Sequence, residues 1–180
     1  MYLSRLLALA LLLSQSALAV VVKLSDLHTM AKKSDIVVHG YVGDQSVSTD
    51  EFGRLITLTK IEVIDGLLGA KTGEIITIYQ VGGEQKGLVM PLMGGQSYQF
   101  GQELIFFGLK QGSSFVSFGA GQGKLDISKH DGHDVVIEDL GDVSAVTGRG
   151  GSKNFHPSPL SFPDVKILKD EIRQMLKTRP

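Results

Sequence analysis

Between Arg54 and Val81 the chain reads RLITLTKIEVIDGLLGAKTGEIITIYQV, two apolar-rich runs joined by a glycine-containing turn. Residues 54–64 are rich in Ile, Leu, Val and Thr, which suit a pleated, half-buried surface. Ile56 and Leu58 are apolar at even positions, whereas Ile61 and Val63 are apolar at odd ones. Strand side chains alternate faces with period two, so this change of phase predicts one extra residue, a β-bulge near Thr59–Lys60. A strand that bends and changes face is how small barrels turn their corners. The run 74–81 carries Ile75, Ile76, Ile78, Tyr79 and Val81, apolar on both faces as a central strand requires. Asp65-Gly66 and Lys71-Thr72-Gly73-Glu74 are turn chemistry, and Leu67 and Leu68 between them are expected to tuck under the barrel end.

The flanking pattern extends this sheet. Ser25 reads as an N-cap, with Asp26 at the positive end and Lys32-Lys33 at the negative end of a short helix over 26–33. A first strand follows over 36–47, then a hairpin loop Thr49-Asp50-Glu51-Phe52-Gly53. Residues 82–97 are the longest break in the sheet pattern and hold an apolar patch, Leu88-Val89-Met90-Pro91-Leu92-Met93, bounded by glycines. A loop of this length is often functional; a lid over an open barrel end or an irregular edge strand is the competing expectation. Leu104-Ile105-Phe106-Phe107 predicts a buried strand. Shorter strands follow at 115–118 and 125–127, with 135–137 returning after the turn His130-Asp131-Gly132-His133. The glycine- and proline-bearing segment 142–163 reads as a connection. Ser161-Phe162-Pro163-Asp164 matches an S-x-x-D helix start, and Val165, Leu168, Ile172, Met175 and Leu176 recur at helical spacing, predicting a final helix docked by that stripe. A partner-binding helix is the sharper alternative.

Residues 1–19 stand outside this pattern. Arg5, the apolar run Leu6–Leu13 and the A-x-A sequence Ala17-Leu18-Ala19 predict a secretory signal peptide, too short to span a bilayer. Export with cleavage before Val20 is therefore expected, to the periplasm or the medium, and no transmembrane segment is expected afterwards. The absence of cysteine excludes disulfide staples, thiolate metal sites, cysteine nucleophiles and a lipid anchor at the cleavage point. The near-balance of 18 Lys+Arg against 19 Asp+Glu, with no basic patch, argues against a nucleic-acid partner. All 22 glycines lie from Gly40 onward, in keeping with many short strands and tight turns.

Candidate chemistry is sparse. His130 and His133, with Asp131 and Asp134 beside them, form the one cluster with metal-ligand chemistry, but a zinc site wants a third protein ligand and turn histidines are ordinarily solvated. Gly119–Lys124 fails the phosphate-loop pattern, because Leu125 follows the lysine and a strand, not a helix, comes next. Gly95-Gln96-Ser97-Tyr98-Gln99 lacks the second glycine of a nucleophile elbow. His39, within the first strand, reads as a packed or rim histidine, and no catalytic residue or cofactor is expected.

Three blocks carry a resemblance: Ser34–Val42 (SDIVVHGYV), Thr57–Gly66 (TLTKIEVIDG) with Gly73–Ile78 (GEIITI), and Phe100–Phe107 (FGQELIFF). Together, over residues 34–127, they resemble a group of exported bacterial proteins built on an OB-like β-barrel. Their order is also similar to the netrin-like module of the tissue inhibitors of metalloproteinases. Those inhibitors place an N-terminal cysteine on the protease zinc and staple the barrel with disulfides. This chain has Val20 at the expected mature start and no cysteine, so the resemblance carries over no inhibitory residue. It implies a mainly β fold: a small closed or partly open OB-like barrel of five to six strands, with a short N-terminal helix and a C-terminal helix. The expected organisation is a signal peptide (1–19), a barrel domain (20–141), a connecting segment (142–163) and a terminal helix (164–180).

The expected function is an exported, non-catalytic binding or accessory module with a protein ligand, because OB-type barrels bind through one sheet face and its loops. Clustered exposed apolar groups mark interaction sites, so Leu88, Val89, Met90, Leu92 and Met93 are the candidate contact. The alternatives are a netrin-like protease inhibitor acting through Val20–Val22 and a hydrolase using His130 and His133. The sequence leaves the oligomeric state open.

Overall fold

The computed structural model describes residues 21–22, 25–93, 96–130, 133–138, 144–145 and 164–179. The elements run in the order β1 (Val21–Val22), α1 (Leu27–Lys33), β2 (Ile36–Thr49), β3 (Leu55–Leu68), β4 (Ile75–Val81), β5 (Gly83–Gln85) and β6 (Leu88–Met90). They continue with β7 (Glu103–Gln111), β8 (Ser114–Ser117), β9 (Lys124–His130), β10 (His133–Glu138), β11 (Ser144–Ala145) and α2 (Val165–Lys177). Among the described residues the fold is mainly β, with one helix before the sheet and one after it.

β2, β3 and β4 form an antiparallel meander, and β7 pairs with the free side of β2. β8 turns back along β7 and meets β4 in parallel at a single bridge, Ile78 to Phe115. The order β7-β2-β3-β4-β8, with β8 returning to β7, makes an OB-like five-strand ring whose last seam is barely closed. β9 and β10 peel away from the first half of β7 as an antiparallel extension, while β1 pairs in parallel with β11.

Two apolar clusters explain this arrangement. Ile36 and Val38 of β2, Ile61 and Val63 of β3, Ile76 and Ile78 of β4, and Leu104 and Phe106 of β7 meet inside the ring, where Phe115 of β8 packs against them. The intervening residues Val37, Ile105 and Phe107 face outward onto Leu27, Met30 and Ala31 of α1 and Val165, Leu168 and Ile172 of α2. β7 is apolar on both faces because the ring covers one and the helices the other; Leu104–Phe107 are all fully buried. Leu67 and Leu68 pack half-buried against the outer cluster, at the end of β3.

The expected bulge at Thr59–Lys60 is not there. β3 and β4 pair without a shift from Ile56–Val81 to Glu62–Ile75, and Leu55, Thr57, Thr59, Ile61 and Val63 keep one buried phase. Two threonines simply occupy inward positions, so the apolar pattern broke phase while the strand did not. The register shifts lie in the β2–β3 pairing, and one falls opposite the expected site with its extra residue on β2 rather than β3. Gly43 and Asp44 are extra in β2 opposite Lys60, and Ile64 and Leu67 are extra in β3 opposite the His39–Gly40 and Val37–Val38 steps. Both helices are capped by aspartate: Asp26 Oδ1 accepts from Thr29 N at 2.6 Å, and Asp164 Oδ1 from Lys166 N at 2.6 Å. Ser25, the expected first cap, instead donates its backbone N–H to Gln122 Oε1. Ser161, residues 1–19 and most of the 142–163 connection lie outside the described residues.

Candidate functional site

The segment expected as one long loop contains a hairpin of its own. Gly82 and Gly83 hold φ of 112° and 137°, which non-glycine residues rarely adopt. A side chain at Gly82 would also run into the Pro91 carbonyl, and one at Gly83 into Thr57 Oγ1. Released by these glycines, the chain forms β5, turns at Lys86 (φ 53°) and Gly87 (φ 79°), and returns as β6. Positive φ at both central residues is the type I′ turn, whose twist suits a two-residue hairpin loop.

The base of this hairpin is stitched to the ring. Gly82 N–H donates to the Leu55 carbonyl at 2.7 Å, Met93 N–H to the Val81 carbonyl at 2.8 Å, and Thr57 Oγ1 to the Gly82 carbonyl at 2.8 Å. Gln85 Nε2 adds a bond to the Val47 carbonyl at 2.6 Å. Beyond this base the side chains face solvent: Leu88 is 61% exposed, Val89 68%, Met90 36% and Met93 68%. Leu92, expected among the contacts, is half-buried at the base beside Gly82. Four of the five candidate residues are therefore exposed to solvent, while β5 lies against the ends of β2 and β3. The turn between β2 and β3, at the same end of the ring, presents the exposed Phe52, its ring 5.2 Å from the Arg54 guanidinium.

A second polar grouping lies where α2 meets the sheet. His39 is buried in β2, with Nε2 2.7 Å from Glu103 Oε1 of β7 and Nδ1 3.5 Å from Lys169 Nζ of α2. Lys169 Nζ is 3.0 Å from Asp65 of β3, which Arg173 also reaches at 2.6 Å. An ammonium only donates and a carboxylate only accepts, so the imidazole carries its proton on Nε2 and accepts at Nδ1. Both ring nitrogens are thereby engaged by neighbouring side chains. This geometry makes His39 a bridge between β7 and α2, in keeping with its expected packed role. Glu103 raises the pKa of the neighbouring Tyr41, chiefly through its charge. Burial alone would raise the pKa of Asp65, but hydrogen bonds from Lys169 and Arg173 outweigh it and hold the carboxyl below its ordinary value.

His130 and His133 face each other across the β9–β10 pairing as backbone partners. Their side chains, and the turn residues Asp131 and Gly132, lie outside the described residues. Among the described residues no group of three His, Asp or Glu is placed to hold a metal ion, and no helix is long and apolar enough to cross a membrane. Val21 and Val22, the arm invoked for inhibition, are paired with Ser144 and Ala145.

The sequence holds no standard signal for the hairpin: Lys86-Gly87 is not one of the dipeptides that favour a type I′ turn, and Glu84-Gln85 before it is polar. The His39–Glu103–Lys169–Asp65 grouping had none, since its hydrogen-bonded pairs are 64, 104 and 130 positions apart. The chain matches no protein-family model and no curated protein.

Proposed function

We propose that the chain is an exported, non-catalytic binding module that takes a protein partner through the β5–β6 hairpin. One observation carries this reading: Leu88, Val89, Met90 and Met93 are exposed on a hairpin whose base is fastened to the ring by backbone hydrogen bonds. An apolar group of this kind, held out on a rigid base, is what an interaction surface presents to a partner. The leader pattern of residues 1–19 supports export, and the rarity of convergent polar groups supports binding rather than catalysis. The inhibitor reading needs a free Val20–Val22 arm, and the strand pairing of Val21–Val22 gives it no support.

The test is photo-crosslinking in the native host, with the crosslinker placed in turn at Leu88, Met93 and the equally exposed Ile75 of β4. Protein adducts are expected from Leu88 and Met93 and not from Ile75, and Leu88→Asp combined with Met93→Glu should remove them. Equal yields from all three positions would overturn the reading. Mass spectrometry of the exported protein should show Val20 as its first residue.

A further inference from the structure

We infer that the partner of β6 is a second copy of this chain, paired antiparallel about a two-fold axis through Val89. The inference rests on the reading of the hairpin as the binding surface and names what it binds. It begins with the turn. In a two-residue loop the residues on either side of it, Gln85 and Leu88, exchange backbone hydrogen bonds. Bonded and non-bonded pairs alternate along an antiparallel ladder, so Gly83–Met90 is bonded and Glu84–Val89 is not. The N–H and C=O of Val89 therefore point away from β5, and β6 pairs with no strand but β5 among the described residues.

An outward-facing N–H and C=O on the central residue of a three-residue strand is self-complementary. Two copies related by a two-fold axis exchange both bonds between Val89 and the partner's Val89, as an isologous contact requires. Leu88 then lies opposite the partner's Met90 in the closely spaced, non-bonded register, and the same contact repeats across the axis. This register does not extend beyond the Val89 pair. The next bonded position on each side would need an N–H at Pro91, which has none. A strand of unrelated sequence could accept the same bonds, but the two-fold arrangement alone also matches Leu88 with Met90 twice.

The edge has two of the devices that keep open strands apart, its three-residue length and Pro91 just after it, but lacks the others. Natural edges carry lysine, proline or a bulge within the strand, whereas β6 is Leu-Val-Met and all three side chains are exposed. The charges of the hairpin, Glu84 and Lys86, are of opposite sign and lie on β5 and the turn. Without the 1–19 leader and its Arg5 the formal net charge goes from −1 to −2, so two copies approach with little mutual repulsion.

The chain has no cysteine, so a single introduced thiol reports the geometry directly. Bonded antiparallel pairs hold their Cα atoms about 5.5 Å apart, within the separation a disulfide accepts. Val89→Cys, oxidised with diamide, should give a covalent dimer far faster than Ile75→Cys, which is exposed on β4. Sedimentation velocity of the wild-type exported protein should show twice the monomer mass, dissociating on dilution. Val89→Pro removes the outward N–H without touching a bond to β5, and Val89→Lys sets like charges face to face; each should sediment as a folded monomer, with circular dichroism confirming the fold. Wild-type monomer at every concentration overturns the inference, and so does a dimer that Val89→Cys fails to trap faster than Ile75→Cys. A monomer that still gives Leu88 adducts with a different protein overturns this inference alone. A monomer giving no adducts overturns the binding reading as well.

Discussion

Lys169 Nζ lies 3.0 Å from the Asp65 carboxylate, tying the last helix to a strand 104 positions earlier in the chain. Arg173, one helical turn on, reaches the same oxygen at 2.6 Å, so two cations of one helix face converge on a single acid. The apolar stripe Val165, Leu168 and Ile172 supplies the docking energy of α2. Asp65 adds direction, fixing how far the helix is rotated over the ring.

Replacing Asp65 with Asn should cost about 1 kcal/mol at neutral pH, because both partners keep some access to water. The pKa of Asp65 is lowered from 3.8 in the folded protein. Its contribution is therefore complete above the unfolded-state value and is lost as the pH falls toward the folded-state one. The stability difference between wild type and Asp65→Asn should shrink from neutral pH to about pH 3, as urea unfolding at the two pH values would record. A difference that grows on acidification would contradict this assignment of the charge.

Elements governed by nearby burial were legible in the sequence. The uninterrupted Leu104–Phe107 announced a strand covered on both faces, and the spacing of Val165, Leu168 and Ile172 announced the buried side of α2. What failed was reading polarity as exposure. Thr57 and Thr59 point into the ring, where Thr57 finds an acceptor in the Gly82 carbonyl, so polar positions took the inward phase and no bulge was needed at Thr59–Lys60. The bulges lie within the β2–β3 pairing, at Gly43–Asp44, Ile64 and Leu67, where no local apolar pattern marks them. Of the candidate site, the apolar residues were legible but their presentation was not, since it depends on glycine dihedrals at 82, 83 and 87.

Gly40 occupies one such corner. It follows the register shift at His39, and a Cβ there would run into the Glu62 carbonyl oxygen and the Ile61 side chain. Its φ is ordinary, so the constraint is space between strands rather than backbone freedom. Gly40→Ala should lose about 2 kcal/mol, the usual cost of forcing strands apart in a packed interior. Gly53→Ala is the contrast. It has open space around it but a φ of 76°, so its loss should be about 1 kcal/mol and come from the backbone alone.

Lys124 is the least expected charge in the fold. Its side chain is 3% exposed, its Nζ lies 3.0 Å from Asp126, and its head sits 5.3 Å from the centre of the Tyr98 ring. Gln102 Nε2 also donates to Asp126. Lys124→Met removes the cation and keeps the volume, so Asp126 loses its 3.0 Å contact with the Lys124 ammonium. A loss of about 2 to 3 kcal/mol is expected, and Lys124→Met with Asp126→Leu should recover part of it, because an apolar pair avoids both desolvation costs. A double variant no more stable than the single one, in thermal or urea unfolding, would show that the pair does more than neutralise itself.

Tyr98 offers the opposite test, a polar atom whose removal should be harmless. The residue is 6% exposed and its ring belongs to the cluster inside the ring of strands. Its hydroxyl and the Ser117 hydroxyl are both buried, and neither meets a partner at hydrogen-bonding geometry among the described residues. Burial pushes the phenol pKa well up, so the group is neutral near pH 7. An unsatisfied buried hydroxyl carries a desolvation cost with nothing to offset it. Tyr98→Phe should therefore leave stability within about 0.5 kcal/mol of wild type or raise it, whereas Tyr98→Ala, which empties the same site, should lose about 3 to 5 kcal/mol. The backbone of Tyr98 stays anchored in both, since Gln45 Nε2 donates to its carbonyl at 2.7 Å. Urea unfolding of the two variants separates ring from hydroxyl: a loss above about 1 kcal/mol for Tyr98→Phe would mean that the hydroxyl is bonded, with Ser117 as the nearest candidate.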